Sequence, residues 1–430
     1  MTTEETMHIH ERRKYLRMMQ ARYFPADREG RGQLLTEMAR MTGLDRKTLI
    51  RSMHSDLQRQ PRRRERGVVY GAAVQDAIML IAETLDYPCA ERLTPGLAPT
   101  ARQLAAHGEL DISPELEAQL QRVSISTVKR LLRRRAQDQF RLRQAQRAAQ
   151  HPLTEGIPML VLPWDEPVPG AFEIDLVHHC GSRTDGDYVH TLQWIDITTG
   201  WSERAAILGR SFLVMQDAFT RILWRVPFLV RMLHPDNGAE FLNHHLLRFA
   251  RQMLPDVLIA RSRPRRKNDN RFVEQKNSSL VRAYLGQARL DSVAQTCALN
   301  QIYDQMWRYY NFFQPVLRLQ AKEALPTASG GYRTRYHYDQ ARTPLDRLYA
   351  TGVLPPARRE QLEALYDQTN PRVLRQAIYD ALEQLWTLPG ATPGQPEDVR
   401  RTLYTISQPA DVVPVTLSFE LTTCPGDIII

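Results

Sequence analysis

Three acidic residues stand where they could do chemistry: Asp175 within Ala171–Val177, Asp236 within Met232–Phe241, and Glu274 within Arg263–Asn277. Asp236 closes an apolar run (Phe228, Leu229, Val230, Met232, Leu233) and precedes Asn237 and Gly238, so it sits where a strand gives way to a turn. Asp175 interrupts an alternating run. Phe172, Ile174 and Leu176 share one face of the predicted strand, and Asp175 shares the other with Glu173 and Val177. An unpartnered carboxylate buried there would be costly, so a purely structural role is hard to give it. Carboxylates are hard oxygen ligands, and magnesium, which keeps several waters, needs only a few of them and no His or Cys. Each acid also has a purely structural reading, Asp236 as a turn initiator and Glu274 as a solvated helix charge. Glu173 is the strongest rival acid. Glu240 reads as a first-turn helix charge, and Asp185, Asp187 and Asp269 as loop positions.

Other ligand types are less promising. His178, His179 and Cys180 are adjacent on a predicted strand and point alternately, so they cannot close together on one zinc. The four cysteines, Cys89, Cys180, Cys297 and Cys424, show no paired spacing, which argues against a zinc knuckle and against a disulfide framework and fits a reducing compartment. No run reaches about 18 apolar residues, and the first residues lack a signal-peptide core. A soluble, cytoplasmic protein without membrane contact is expected. The formal charge of +9 is concentrated in Arg62–Arg66, Lys129–Arg135 and Arg261–Lys267, and clustering of this kind favours a polyanionic partner.

The elements that position these residues read as several domains in 430 residues. Residues 1–60 form a helical region in which Leu34, Leu35, Met38, Met41, Leu44, Leu49, Ile50 and Met53 fall at helical spacings, with Gly43 interrupting and Asp45 capping. This is the shape of a helix-turn-helix that offers Arg46, Lys47, Thr48 and Arg51 to a DNA groove, or of an ordinary helix pair. A second helical region, 67–150, ends in another such unit, with Ser124 or Ser126 as N-cap, Val128, Leu131 and Leu132 inward, and Lys129 and Arg130 outward. A proline-containing linker spans 151–170. The core, 171–310, opens with three strands joined as hairpins (172–178, 188–197, 201–208) and continues as helix 211–223, strand 228–233, helix 239–253, strand 257–259 and helix 270–285. A helix over 291–310 is broken by Asn311–Pro315. Residues 311–395 read as mainly helical (344–351, 355–367, 371–387), and 396–430 as a tail.

Glu173–Val177, Thr199–Trp201, Asp236–Phe241, Lys267–Asn277, Asn311–Pro315 and Thr343–Leu345 together resemble, over about residues 30–390, an integrase-like DDE transposase of a bacterial insertion sequence, with the catalytic core of the retroviral integrase superfamily. The resemblance implies a central ribonuclease-H-like α/β core between an N-terminal all-α helix-turn-helix region and a mainly helical C-terminal region. It implies Asp175, Asp236 and Glu274 as catalytic ligands of two Mg2+ ions, replaceable by Mn2+, with Asp175 bridging them and the other two each completing one site. The implied reaction is cleavage at the ends of a mobile element and joining of the freed 3′-hydroxyls to target DNA, by a homo-oligomer on double-stranded DNA. A nuclease of the same fold and an inactive DNA-binding regulator are the alternatives. Arg263, Arg265, Arg266 and Lys267 then form a basic loop before Glu274, while Lys276 and Arg282 are DNA contacts or structural residues. The sequence departs from retroviral integrases in lacking an N-terminal His/Cys zinc domain, and its helical C-terminal region stands where those proteins carry a small β-barrel.

Overall fold

The computed structural model describes residues 7, 9–57, 70–135, 168–235, 240–254, 256–260, 277–326 and 332–404. Asp236, Glu274, Arg263, Arg265, Arg266, Lys267, Lys276, most of the 151–170 linker and the end of the tail lie outside these residues. The chain is multidomain, with N-terminal helices, a central mixed α/β sheet and C-terminal helices, and it divides into two compact units, Met1–Val69 and Tyr70–Ile430.

The first unit holds three helices, α1 (Ile9–Tyr23), α2 (Arg28–Thr42) and α3 (Arg46–Met53). Helix α2 stops because Gly43 adopts the left-handed conformation (φ 69°) that a residue with a Cβ disfavours. Asp45 then starts α3 by accepting from the Thr48 backbone N–H at 2.9 Å and the Thr48 hydroxyl at 2.6 Å. Leu16, Met19, Leu35, Met38, Leu49 and Met53 form the core. Met41 and Ile50, expected in the apolar stripe, are instead surface residues, because three short helices cover only the faces that meet at Met38 and Leu49.

In the second unit, α4 (Ala72–Thr84), α5 (Ala90–Ala106), α6 (Pro114–Arg122) and α7 (Ile125–Arg135) precede the sheet. Ser124, not Ser126, caps α7, through the Thr127 N–H. These helices do not form the separate domain expected at 67–150. Ile78, Ile81, Leu93, Leu97 and Val128 share one core with Trp201, Trp307, Phe312 and Leu348, so the helices and the sheet region bury each other's apolar surface.

The sheet runs β3-β2-β1-β4-β5, with β1 (Ala171–His178), β2 (Val189–Asp196), β3 (Ser202–Leu208), β4 (Met232–Pro235) and β5 (Leu258–Ile259). Strands β1, β2 and β3 pair antiparallel, while β4 pairs parallel to β1 and β5 parallel to β4. Helices α8 (Phe212–Arg225) and α9 (Glu240–Met253) cover the face of Phe172, Ile174 and Leu176. Helices α10 (Val293–Arg308) and α13 (Pro371–Thr387) cover the face of Val177, Val189, Ala206 and Leu208. Helices α11 (Pro344–Thr351) and α12 (Pro356–Gln368) add to the C-terminal region.

Three expectations shift. The strand expected at 228–233 begins only at Met232, because Phe228 stacks on Phe172 with ring centroids 5.8 Å apart and packs on Trp201. The break expected at Asn311 comes later. A π-helical turn, Tyr309–Phe313, extends α10, and the Asn311 side chain accepts from Ser202 N (2.8 Å) and donates to Ser202 O (3.1 Å). The C-terminal region also contains an antiparallel ribbon, β6 (Leu319–Pro326) and β7 (Tyr332–Tyr338), which the mainly helical reading missed.

Candidate active site

Asp175 lies in the sheet's central strand, on the face opposite Phe172 and Ile174, and it is half-buried. One carboxylate oxygen accepts from the Leu176 N–H at 2.7 Å. The other accepts from the side-chain amide of Asn277. Asn277 opens a π-helical turn, Asn277–Arg282, followed by a short helical turn, Ala283–Leu285. Turns of this kind occur often at functional sites, because the extra residue displaces a side chain from the regular helical face. The parallel pairing of β4 with β1 ends at Pro235, which is opposite Ile174. The residues that immediately precede Asp236 and closely follow Glu274 in the chain therefore both come to Asp175.

A polar row continues from Asp175 across the sheet. Gln193 of β2 is its cross-strand partner, and Arg204 of β3 is the partner of Gln193, so the three share one face. Gln193 and Arg204 are fully buried. Both polar atoms of the Gln193 amide, both terminal nitrogens of Arg204 and the Asn277 Oδ1 find no hydrogen-bond partner among the described residues. Burial pushes the Arg204 guanidinium below its ordinary range, opposed by nearby Tyr303 and Glu203. Its cation lies 5.5 Å from the Tyr310 ring centroid and 6.0 Å from that of Tyr303.

Glu173, the rival acid, is fully buried, pairs in register with His234, and lies near Arg318. Burial lowers the Arg318 guanidinium to about 10, reinforced by Arg347 and opposed by Asp196, Glu173 and Asp339. Asp185 is exposed and bonded through both oxygens to Arg183. Beyond Asp175, His178 and His190 bring their rings to 4.8 Å, and His179 Nε2 meets the Thr191 hydroxyl at 2.8 Å, which meets Tyr303 OH at 2.6 Å. His179 is held down to about 3 by burial and then by Arg282, and His190 to about 2 by burial and then by His178. Among the described residues no three His, Cys, Asp or Glu side chains converge as a metal site.

Arg282 donates to the carbonyls of His178 (2.7 Å) and Gly286 (3.3 Å), which is the structural role left open for it. Arg46, Lys47 and Arg51 are exposed on α3, beside exposed Ile50, and Arg46 also reaches the Thr36 hydroxyl at 3.3 Å. On α7 Arg130 is exposed, while Lys129 pairs with Glu91 at 3.4 Å.

Sequence reasoning missed the groups that brace this site. Glu203 accepts from Trp201 Nε1 (2.8 Å) and Arg225 Nε (2.9 Å), and Arg225 also donates to Asp304 and to the Arg204 carbonyl. Asp196 accepts from Gly170 N (2.8 Å), Thr199 N (2.7 Å) and the Thr199 hydroxyl (2.6 Å). The Asp196–Gly200 stretch carried a legible turn signal for the last of these. Asn277 closes the Lys267–Asn277 block, but nothing local announces its bond to Asp175 or the role of Glu203.

These observations define a chain in which a half-buried aspartate stands on the central strand of a mixed sheet, backed by a buried polar row. No family model matches the chain. It is 33% identical over 305 residues to the uncharacterized protein y4rM of Sinorhizobium fredii (strain NBRC 101917 / NGR234), a match covering 70% of this chain and 86% of that protein, and it belongs to the same family as y4rM.

Proposed function

We propose that the chain is a DNA transposase with a ribonuclease-H-like integrase core, which binds the ends of a mobile element, cuts phosphodiesters there and joins the freed 3′-hydroxyls to target DNA. The observation that carries this reading is the convergence on Asp175. Asp236 is covalently bonded to Pro235, whose pairing partner Ile174 adjoins Asp175, and consecutive Cα atoms are about 3.8 Å apart. Glu274 is three residues from Asn277, whose amide holds the Asp175 carboxylate, a chain reach of at most about 11 Å. The described residues nearest to the two other acids in the chain, Pro235 and Asn277, thus both stand at Asp175.

The residues fit a hard divalent cation. The Asn277 Oδ1, an oxygen acceptor without a donor among the described residues, lies on the amide that contacts Asp175. Asp175, Asp236 and Glu274 would hold Mg2+ or Mn2+, which when bound neutralises the phosphate and activates the oxygens of an in-line displacement. Asn277 orients the Asp175 carboxylate, and buried Arg204 sets positive charge behind it along the cross-strand row. Exposed Arg46, Lys47 and Arg51 on α3, with Ile50 among them, suit a groove in which cations meet phosphates and an apolar group meets a base edge. In this reading Arg130, Arg263, Arg265, Arg266, Lys267 and Lys276 supply further cations for DNA phosphates, and more than one copy of the chain assembles on the DNA.

The test uses labelled duplexes from the DNA flanking the gene, a plasmid target and Mg2+. Joined products are expected from the parent protein and none from Asp175→Asn, with duplex binding retained. Asn277→Ala should raise the half-saturating Mg2+ concentration about 10- to 100-fold, the effect of losing a group that orients a ligand. Cleaved ends with no joined product would make the protein a nuclease. A covalent protein–DNA adduct would replace the metal site by a Tyr or Ser nucleophile.

A further inference from the structure

We propose that the β6–β7 ribbon is a separate DNA contact, an arm that lies against the phosphate backbone of a duplex; the proposal rests on the transposase reading. Among the described residues the ribbon is two-stranded, with β6 and β7 paired antiparallel and no third strand. A hairpin that covers neither of its own faces is marginal in water and calls for a partner. Its side chains indicate which partner. Tyr336 and Tyr338 share one face, each 53% exposed, and Arg335, next to Tyr336 in the strand, is exposed and has no partner among the described residues. The ribbon strands carry three cations, Lys322, Arg333 and Arg335, against one acid, Glu323, which meets His337 at 2.9 Å.

The base of the ribbon is fixed. Arg318 N donates to the Asp339 carboxylate at 2.7 Å, Asp339 N returns a bond to Arg318 O at 2.9 Å, and Arg347 pairs with Asp339 at 2.8 Å. Arg318 also donates to the Asp196 carbonyl at 3.3 Å, at the end of β2. The arm is therefore anchored to the sheet that carries Asp175, and strands of this length reach about 20 Å from such a base. Cations interleaved with tyrosines suit phosphate oxygens, to which guanidinium and phenol groups donate, and a two-stranded ribbon has the width of a DNA major groove. A second copy of the chain is disfavoured by charge, since pairing two such ribbons edge to edge brings cation against cation.

The experiment measures binding of the full-length protein to a fluorescein-labelled duplex of arbitrary sequence, over a range of salt and in EDTA so that the metal site is not involved. Combining Arg335→Glu with Tyr336→Ala should weaken binding about tenfold near physiological salt and lower the salt slope by about one for each phosphate that is no longer neutralised. Arg335→Lys should bind like the parent, and all variants should keep its thermal midpoint, because the altered side chains are exposed. Unchanged affinity and slope in the double variant would overturn the proposal. So would a change in sedimentation without DNA at unchanged affinity, which would assign the ribbon to a second copy. A parent protein that joins DNA ends while the variants bind normally refutes the arm alone. A parent that binds no duplex refutes the transposase reading and the arm together.

Discussion

At the scale of single residues, the sheet separates two acids that the sequence presents almost alike. Glu173 and Asp175 are two apart on one face of β1, yet Glu173 is closed in beside His234 and Arg318, while Asp175 is half-buried and meets Asn277. Further along the same sheet, burial holds His179 at about 3 and His190 at about 2, far below the ordinary imidazole value near 6.5. Both are neutral when folded and would take up a proton when unfolded below about pH 6.5. Because the folded values are depressed, the stability is fully present above pH 6.5 and is lost as pH falls towards the folded values, at roughly 1.4 kcal/mol per pH unit for each group. Guanidinium unfolding at pH 7 and pH 5 should show this loss, and His190→Gln should flatten the dependence. A midpoint independent of pH in the parent would contradict the burial of these rings.

The element whose geometry was least expected is the turn between α4 and α5. Asp86 and Tyr87 both have positive φ, 57° and 51°, an uncommon conformation for residues with a Cβ. The turn is held from outside. The Asp86 carboxylate accepts from Tyr284 OH, from Arg375 Nε at 2.6 Å and from Tyr379 OH at 3.0 Å, while Tyr309 OH donates to Thr84 O at 2.7 Å and Gln314 to Leu85 O at 2.9 Å. Tyr284 lies in the short turn that follows Asn277–Arg282, so the turn at Asp86 braces the segment that presents Asn277 to Asp175. Asp86→Ala should destabilise the second unit by roughly 3–5 kcal/mol, since it strands a guanidinium and two phenols. Asp86→Asn should cost less, about 1–3 kcal/mol, because it keeps acceptor geometry and tolerates positive φ. Equal losses for the two variants, read by chemical denaturation, would show that the carboxylate charge carries no weight.

For the whole molecule, the consequential feature is where one core ends. Among the described residues the core of the first unit, around Met38 and Leu49, is built from residues 16–53 and their near neighbours, whereas Ile78, Leu97 and Val128 share a core with Trp201, Trp307, Phe312 and Phe313. Removing residues 1–69 should leave the thermal transition of the remainder intact. Removing residues 1–150 should abolish it. The four aromatic side chains then lose their cover, and at about 1.5–3 kcal/mol for each large apolar side chain the loss, roughly 6–12 kcal/mol, rivals the whole stability of a typical domain. A cooperative transition in the shorter chain would show that these helices are a dispensable layer.

The sequence by itself determined the local elements and their faces. Alternation placed Asp175 opposite Phe172 and Ile174, helical spacing and the Gly43 and Asp45 signals drew the α2–α3 turn, and hairpin spacing ordered β1, β2 and β3. These follow from period and from backbone preferences, which act between near neighbours. Only the tertiary structure decided that Pro235 pairs beside Asp175, that Asn277 bonds to it, and that Gln193 and Arg204 extend it into a buried row. It also decided that α4 to α7 belong to the body of the sheet rather than to a separate domain. Such contacts join positions tens to hundreds of residues apart, where no local preference of Asn277, Gln193 or Asp86 can signal its partner, and they exist only once burial brings those segments together.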